Sequence, residues 1–114
     1  MTIEEIRNFA LSLPGTTEDI KWEHNLCFSV GSKIFLIANP DQYPVSASFK
    51  TTVEGFEELT NREGIIPAPY LARNKWVLVE DIERIGKAEW ELFIKGSYDL
   101  VFSKLPKKIR EQLL

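Results

Sequence analysis

The chain has 114 residues, of which 44% are hydrophobic and 27% charged, and its net charge is −3. That balance fits one globular domain over residues 1–114, large enough to fold without a disulfide or metal staple, and excludes a disordered chain. Cys27 is the single cysteine, which rules out an internal disulfide and fits a reducing, cytoplasmic setting; the Met1–Leu13 segment, with Glu4 and Glu5, does not read as a signal peptide, and no apolar run approaches the ~20 residues that span a bilayer.

The first element is an amphipathic helix. Thr2 and Glu5 have the spacing of a capping box, Ile3, Ile6, Phe9, Ala10 and Leu13 form an apolar stripe, and Pro14-Gly15 stops it. A polar loop is expected through Trp22 and His24. Leu26, Phe28 and Val30 then alternate as in a strand. Gly31-Ser32 reads as a two-residue hairpin turn, and Lys33 to Ala38 as a strand central in a sheet or covered on both faces. Asn39-Pro40-Asp41 breaks the chain. Val45, Ala47 and Phe49 alternate with Ser46, Ser48 and Lys50, a strand with one buried face and one polar, open face.

Thr51 and Glu54 offer a second capping box for a helix carrying Val53, Phe56 and Leu59 and ending at Gly64. Pro67 and Pro69 hold the chain extended. Trp76 to Val79 is a further strand, with a short one expected near Tyr70, and Glu80 to Gly86 is a polar connection. From Lys87 the pattern is helical, with Trp90, Phe93, Ser97 and Val101 on one face and Gly96 weakening it by ~1 kcal/mol relative to Ala. A last helix starts at Pro106, with Ile109 and Leu113 inward.

Several chemistries find no residues to carry them. One His and one Cys are too few for a dedicated metal site. No glycine-rich phosphate loop and no Gly-x-Ser-x-Gly elbow occurs. Cys27 and His24 are near in sequence, but Glu23 beside them opposes a lowered thiol pKa. Glu18, Asp19 and Glu23 read as a solvated acidic loop. Tyr98 and Lys104 lie six residues apart, which does not suit a Ser-Tyr-Lys oxidoreductase. No catalytic residue and no cofactor is expected.

Three stretches taken in series resemble the MmcQ/YjbR family of small bacterial proteins. They are Leu13-Pro14-Gly15-Thr16-Thr17-Glu18-Asp19 with Trp22-Glu23-His24; Ile66-Pro67-Ala68-Pro69-Tyr70-Leu71 with Lys75-Trp76-Val77; and Ser97-Tyr98-Asp99-Leu100-Val101 with Lys104-Leu105-Pro106-Lys107-Lys108. The resemblance implies an α+β fold: a two-layer arrangement in which an antiparallel sheet packs on helices, similar to secretion chaperones. It also implies a non-enzymatic protein that binds DNA through a double-wing arrangement of hairpins.

Charge bears on that reading. Residues 1–64 hold 5 Lys/Arg and 10 Asp/Glu, a net of −5; residues 65–114 hold 9 and 7, a net of +2. With an acidic chain overall, a nucleic-acid site has to be a local patch. The candidates for phosphate contact are Lys50, Arg73, Lys75, Lys104, Lys107, Lys108 and Arg110, with Trp22, His24 and Tyr70 as stacking partners. Two other readings stand beside it. A protein- or peptide-interaction module would use an open strand edge or the Pro67–Pro69 segment. A small-molecule site would use a pocket near Trp22, His24 and Tyr70. No membrane partner is expected.

Overall fold

The computed structural model describes residues 1–113. Four α-helices and six strands follow in the order α1 (Ile3–Ser12), β1 (Thr16–Lys21), β2 (Asn25–Val30), β3 (Lys33–Asn39), β4 (Ser46–Lys50), α2 (Val53–Thr60), β5 (Ile65–Pro67), β6 (Trp76–Val79), α3 (Lys87–Phe102) and α4 (Lys107–Leu113). All strand pairs are antiparallel, in one sheet of spatial order β1-β2-β3-β4-β6-β5. This is the expected α+β architecture.

The expected caps and alternations account for most of these elements. The capping box of α1 is closed on both sides: the Glu5 N–H donates to Thr2 Oγ1 and the Thr2 N–H to Glu5 Oε1. Gly31 and Ser32 both have positive φ, as a type I′ two-residue hairpin turn requires. Four expectations need correction. The polar loop after Gly15 is strand β1, paired along its length from Thr16↔Val30 to Lys21↔Asn25. It lies at the sheet edge, and its exposed side chains carry no apolar alternation to betray it. The cap of α2 is Thr52 rather than Thr51, accepting from the Gly55 N–H, and this helix ends at Thr60; Gly64, at φ +88, then turns the chain into β5. The short strand lies at Ile65–Pro67, while Tyr70 sits in a turn with φ 66. The polar connection 80–86 contains a 3-10 turn, Ile82–Arg84, and buries Ile82 and Ile85.

One sheet face makes the core. Phe28, Leu36, Phe49 and Val77 stand in register across four strands, and Leu26, Ala38, Ala47, Val79 and Ile65 form the next row across five. Ile6 and Ala10 of α1, Leu59 of α2 and Trp90, Ile94 and Tyr98 of α3 pack on them. Each large side chain fully buried here contributes about 1.5–3 kcal/mol. Trp90, Phe93 and Phe49 pack ring against ring. The Trp90 indole N–H donates to Ile82 O at 2.8 Å, which brings the 80–86 connection into the core. The opposite face carries the row Cys27, Ile37, Ser48, Leu78 and Ile66 and lies outside this cluster. Ser48 is buried there, shaded by Ile37 and Leu78 on the flanking strands, so this face of β4 is less open than its serines imply.

A β-bulge sets the position of α3. The β2–β3 register shifts between Phe28 and Ser29, so that Phe35 is the extra residue of β3. The buried Ser97 hydroxyl donates to Phe35 O at 2.6 Å and accepts from the Lys50 N–H at 2.9 Å. Lys50 and Phe35 lie one step beyond the Leu36–Phe49 pair, so the hydroxyl stands where a direct ladder bond would fall. At the next residue, Tyr98 Oη donates to Pro14 O at 2.6 Å and ties α3 to the end of α1.

Ser97→Ala removes a partner from a buried donor and a buried acceptor together, and is expected to cost about 2–3 kcal/mol in denaturant-induced unfolding. The neighbouring Gly96 is exposed, with open space where a Cβ would stand. Gly96→Ala is therefore expected to stabilise by up to ~1 kcal/mol in the same measurement; equal effects at the two positions would contradict this account of α3.

Candidate functional site

The antiparallel register sorts the connections to two ends of the sheet. At one end lie the Gly31–Ser32 turn, the end of β4 at Lys50, and residues 68–75 before β6. At the other lie the β1–β2 turn at 22–24, the β3–β4 connection at 40–45, and Glu80-Asp81. Strands of five to seven residues hold the ends roughly 20 Å apart.

The first end is basic. Lys33 at the start of β3, Lys50 at the end of β4 and Lys104 beyond α3 line one groove of about 330 Å³, whose walls are Ile34, Trp76, Leu100, Val101, Leu105 and Pro106. None of the three lysines has a carboxylate partner among the described residues. Lys50 is the most constrained. Its backbone is held by Ser97, its Nζ donates to Asn74 O at 2.8 Å, and it is half-buried. Burial, and then the charge of Lys104, push its ammonium below the ordinary lysine value. An ammonium so placed is short of counter-charge and of water, and an anion would supply the first.

Residues 68–75 extend the basic end. Arg73 is exposed in a 3-10 turn, Ala72–Asn74, and Lys75 closes that turn in the left-handed region with φ 64. Lys75 Nζ lies 5.0 Å over the Phe56 ring, and its carbonyl accepts from the Thr51 N–H at 2.9 Å, which fixes this segment against the end of β4. Tyr70 projects fully into solvent from the same segment. Helix α4 follows directly on Pro106. Lys107 reaches Glu111 at 4.0 Å, Lys108 is exposed, and Arg110 is half-buried.

Trp22 and His24 do not join this group. They sit on the β1–β2 turn at the opposite end, with Trp22 66% exposed and in the left-handed region. His24 Nδ1 lies 3.1 Å from Asp41 Oδ2, and its Nε2 lies 3.9 Å from Glu23. Glu63, Glu80 and Asp81 line a cavity at the same end. The register thus separates Trp22 and His24, expected as stacking partners, from the cations they were to accompany. Conversely, Lys33 reads in the sequence only as the first residue of an apolar strand; the folding of β3 beside β4 makes it a groove residue. Cys27 is fully buried on the second sheet face, and burial pushes its thiol up, which suits packing rather than nucleophilic attack. Among the described residues no three His, Cys, Asp or Glu side chains gather to hold a metal ion.

The motifs that carry the family resemblance turn out to be joints of the fold. Pro14 accepts from Tyr98, Ser97 ties α3 to β3 and β4, and Trp76 walls the basic groove. Comparison with known proteins agrees. The Deinococcus radiodurans protein DR2400, which carries a DUF419 domain, matches with a TM-score of 0.88 and 27% identity over 98% of this chain and 87% of its own. A protein from Pseudomonas syringae matches in fold with a TM-score of 0.74 and 20% identity, over 89% of this chain and 99% of its own. No curated protein matches significantly. A family model described as YjbR matches residues 11–100. On that match and this shared architecture, the chain belongs to the YjbR family.

Proposed function

We propose that the protein is a non-enzymatic DNA-binding protein that grips the phosphate backbone with the basic end of its sheet. The observation that carries this reading is the convergence of Lys33, Lys50 and Lys104, from three separate elements, on one groove without a carboxylate among them. Arg73 and Lys75 flank it on a segment fixed to β4. Lys50, held through Ser97 and Asn74, presents its charge from a fixed place, as phosphate contacts that position a protein on nucleic acid require. The acidic total of the chain is no obstacle, because acidic side chains such as Glu23, Asp41, Glu80 and Asp81 gather at the far end. The non-enzymatic part of the reading rests on the buried Cys27 and on His24, whose contacts are carboxylates on an exposed turn.

Five phosphate contacts give a log–log dependence of affinity on salt with a slope of about −4 to −5 on duplex DNA. Fluorescence anisotropy with a labelled oligonucleotide across a salt series measures it. Lys50→Gln combined with Lys104→Gln is expected to weaken binding and flatten the slope by about 2. Trp22→Ala combined with His24→Ala is expected to leave both unchanged. Binding that ignores salt, or that depends on Trp22 and His24 instead, would remove this reading.

The lowered pKa of Lys50 adds a pH signature with two opposite signs. As pH rises toward the ordinary lysine value of 10.5, Lys50 loses its proton in the fold before it would in the unfolded chain. The unfolded state then binds more protons, so the free protein gains stability over that interval. The complex needs the charged form and weakens over the same interval. A Lys50→Gln variant should lack both trends; matching profiles for it and the parent would contradict the role given to Lys50.

A further inference from the structure

The groove holds more than a phosphate contact needs. A cation meeting a backbone phosphate works on an open surface. Here the three lysines stand around a concavity of about 330 Å³, walled by Ile34, Trp76, Leu105 and Pro106. That volume falls within the ~300–1,000 Å³ typical of sites that enclose small organic ligands. The chemistry it fits is a flat apolar body joined to a run of anionic groups: the body covers the apolar walls and the successive negative charges meet the ammonium groups. In a duplex the base faces are stacked away and only the phosphates are offered. An unstacked nucleotide offers both parts at once.

We infer that this groove takes an unstacked nucleotide of a single strand, with its flanking phosphates among Lys33, Lys50 and Lys104 and its base packed on Pro106 over the edge of the otherwise buried Trp76 that the groove reaches. The assignment rests on the DNA-binding reading above and narrows its substrate to single-stranded segments, such as frayed ends or melted regions. The flanking cations favour a strand over an isolated small anion. Arg73 and Lys75 adjoin the groove residue Asn74 in the chain, and Lys107 and Lys108 follow the groove residue Pro106, so further cations stand next to the groove for neighbouring phosphates. A peptide ending in a carboxylate could offer the groove an apolar side chain, but it brings one negative charge to a surface with many.

The test compares four labelled probes by anisotropy at one salt concentration: a thymidine decanucleotide, a hairpin duplex with the same number of phosphates, an abasic strand of that length, and an apolar peptide with a free C-terminal carboxylate. The single strand is expected to bind at least about tenfold more tightly than the duplex or the abasic strand, in keeping with the contribution of one stacked base. Ile34→Trp, which fills the groove without touching a charge, is expected to abolish that preference and leave duplex binding and its salt slope intact. Because a tryptophan there could disturb folding, an independent readout uses the unaltered protein. The Trp76 indole resonance is expected to shift with a thymidine tetranucleotide but not with inorganic phosphate. Equal affinity for single strand, duplex and abasic strand, or an unmoved Trp76, overturns this inference while leaving the DNA-binding reading standing. Absence of oligonucleotide binding, or tight binding of the peptide alone, overturns both.

Discussion

One hydroxyl organises the basic end of this molecule. Ser97 satisfies the carbonyl of the bulged Phe35 and the last N–H of β4, two backbone groups that the sheet leaves to each other at a distance it does not close. A buried polar group without a partner costs about 1–3 kcal/mol, so the bulge and the helix require each other. The bond fixes the rotation of α3, and with it the placement of Lys104 beyond the helix end. It also fixes the backbone of Lys50. Two of the three lysines of the groove therefore take their positions from an interaction that is neither charged nor exposed.

The second organising feature is the separation of charge along the strands. A net charge of −3 describes the chain poorly, because the register gathers uncompensated lysines at one end and sets carboxylates around Trp22 and His24 at the other. Such a distribution orients the molecule as it approaches a polyanion, basic end leading.

Much of the fold could be read from residue pattern. The Thr2–Glu5 box, the alternation through Leu26–Val30 and Val45–Lys50, and the aromatic stripe of α3 each state their element locally. Strand β1 could not be read, since an edge strand exposed to water has no apolar period and its pairing with β2 is a long-range fact. Ile82 and Ile85 were masked by the polar residues around them. The site was legible as a list of cations but not as a place. Lys50 and Lys104 are 54 positions apart and meet only after α3 is docked. Lys33 belongs with them through the β3–β4 register, while Trp22 and His24 are excluded by the same register. The motifs that identify the family gave the joints, Pro14, Ser97 and Tyr98, because packing leaves a stronger mark on sequence than a cluster of surface lysines does.

The two outer strands have a consequence of their own. Strand β5 is only three residues long and ends on Pro67, which has no N–H to offer, and β1 is lined with Glu18, Asp19 and Lys21, with Arg7 clasping Glu18. Short, proline-capped and charged rims discourage any added strand, whether from a peptide ligand or from a sister molecule. Oligomers built by sheet continuation are thereby disfavoured, and a partner has to be met through loops and side chains rather than through the main chain.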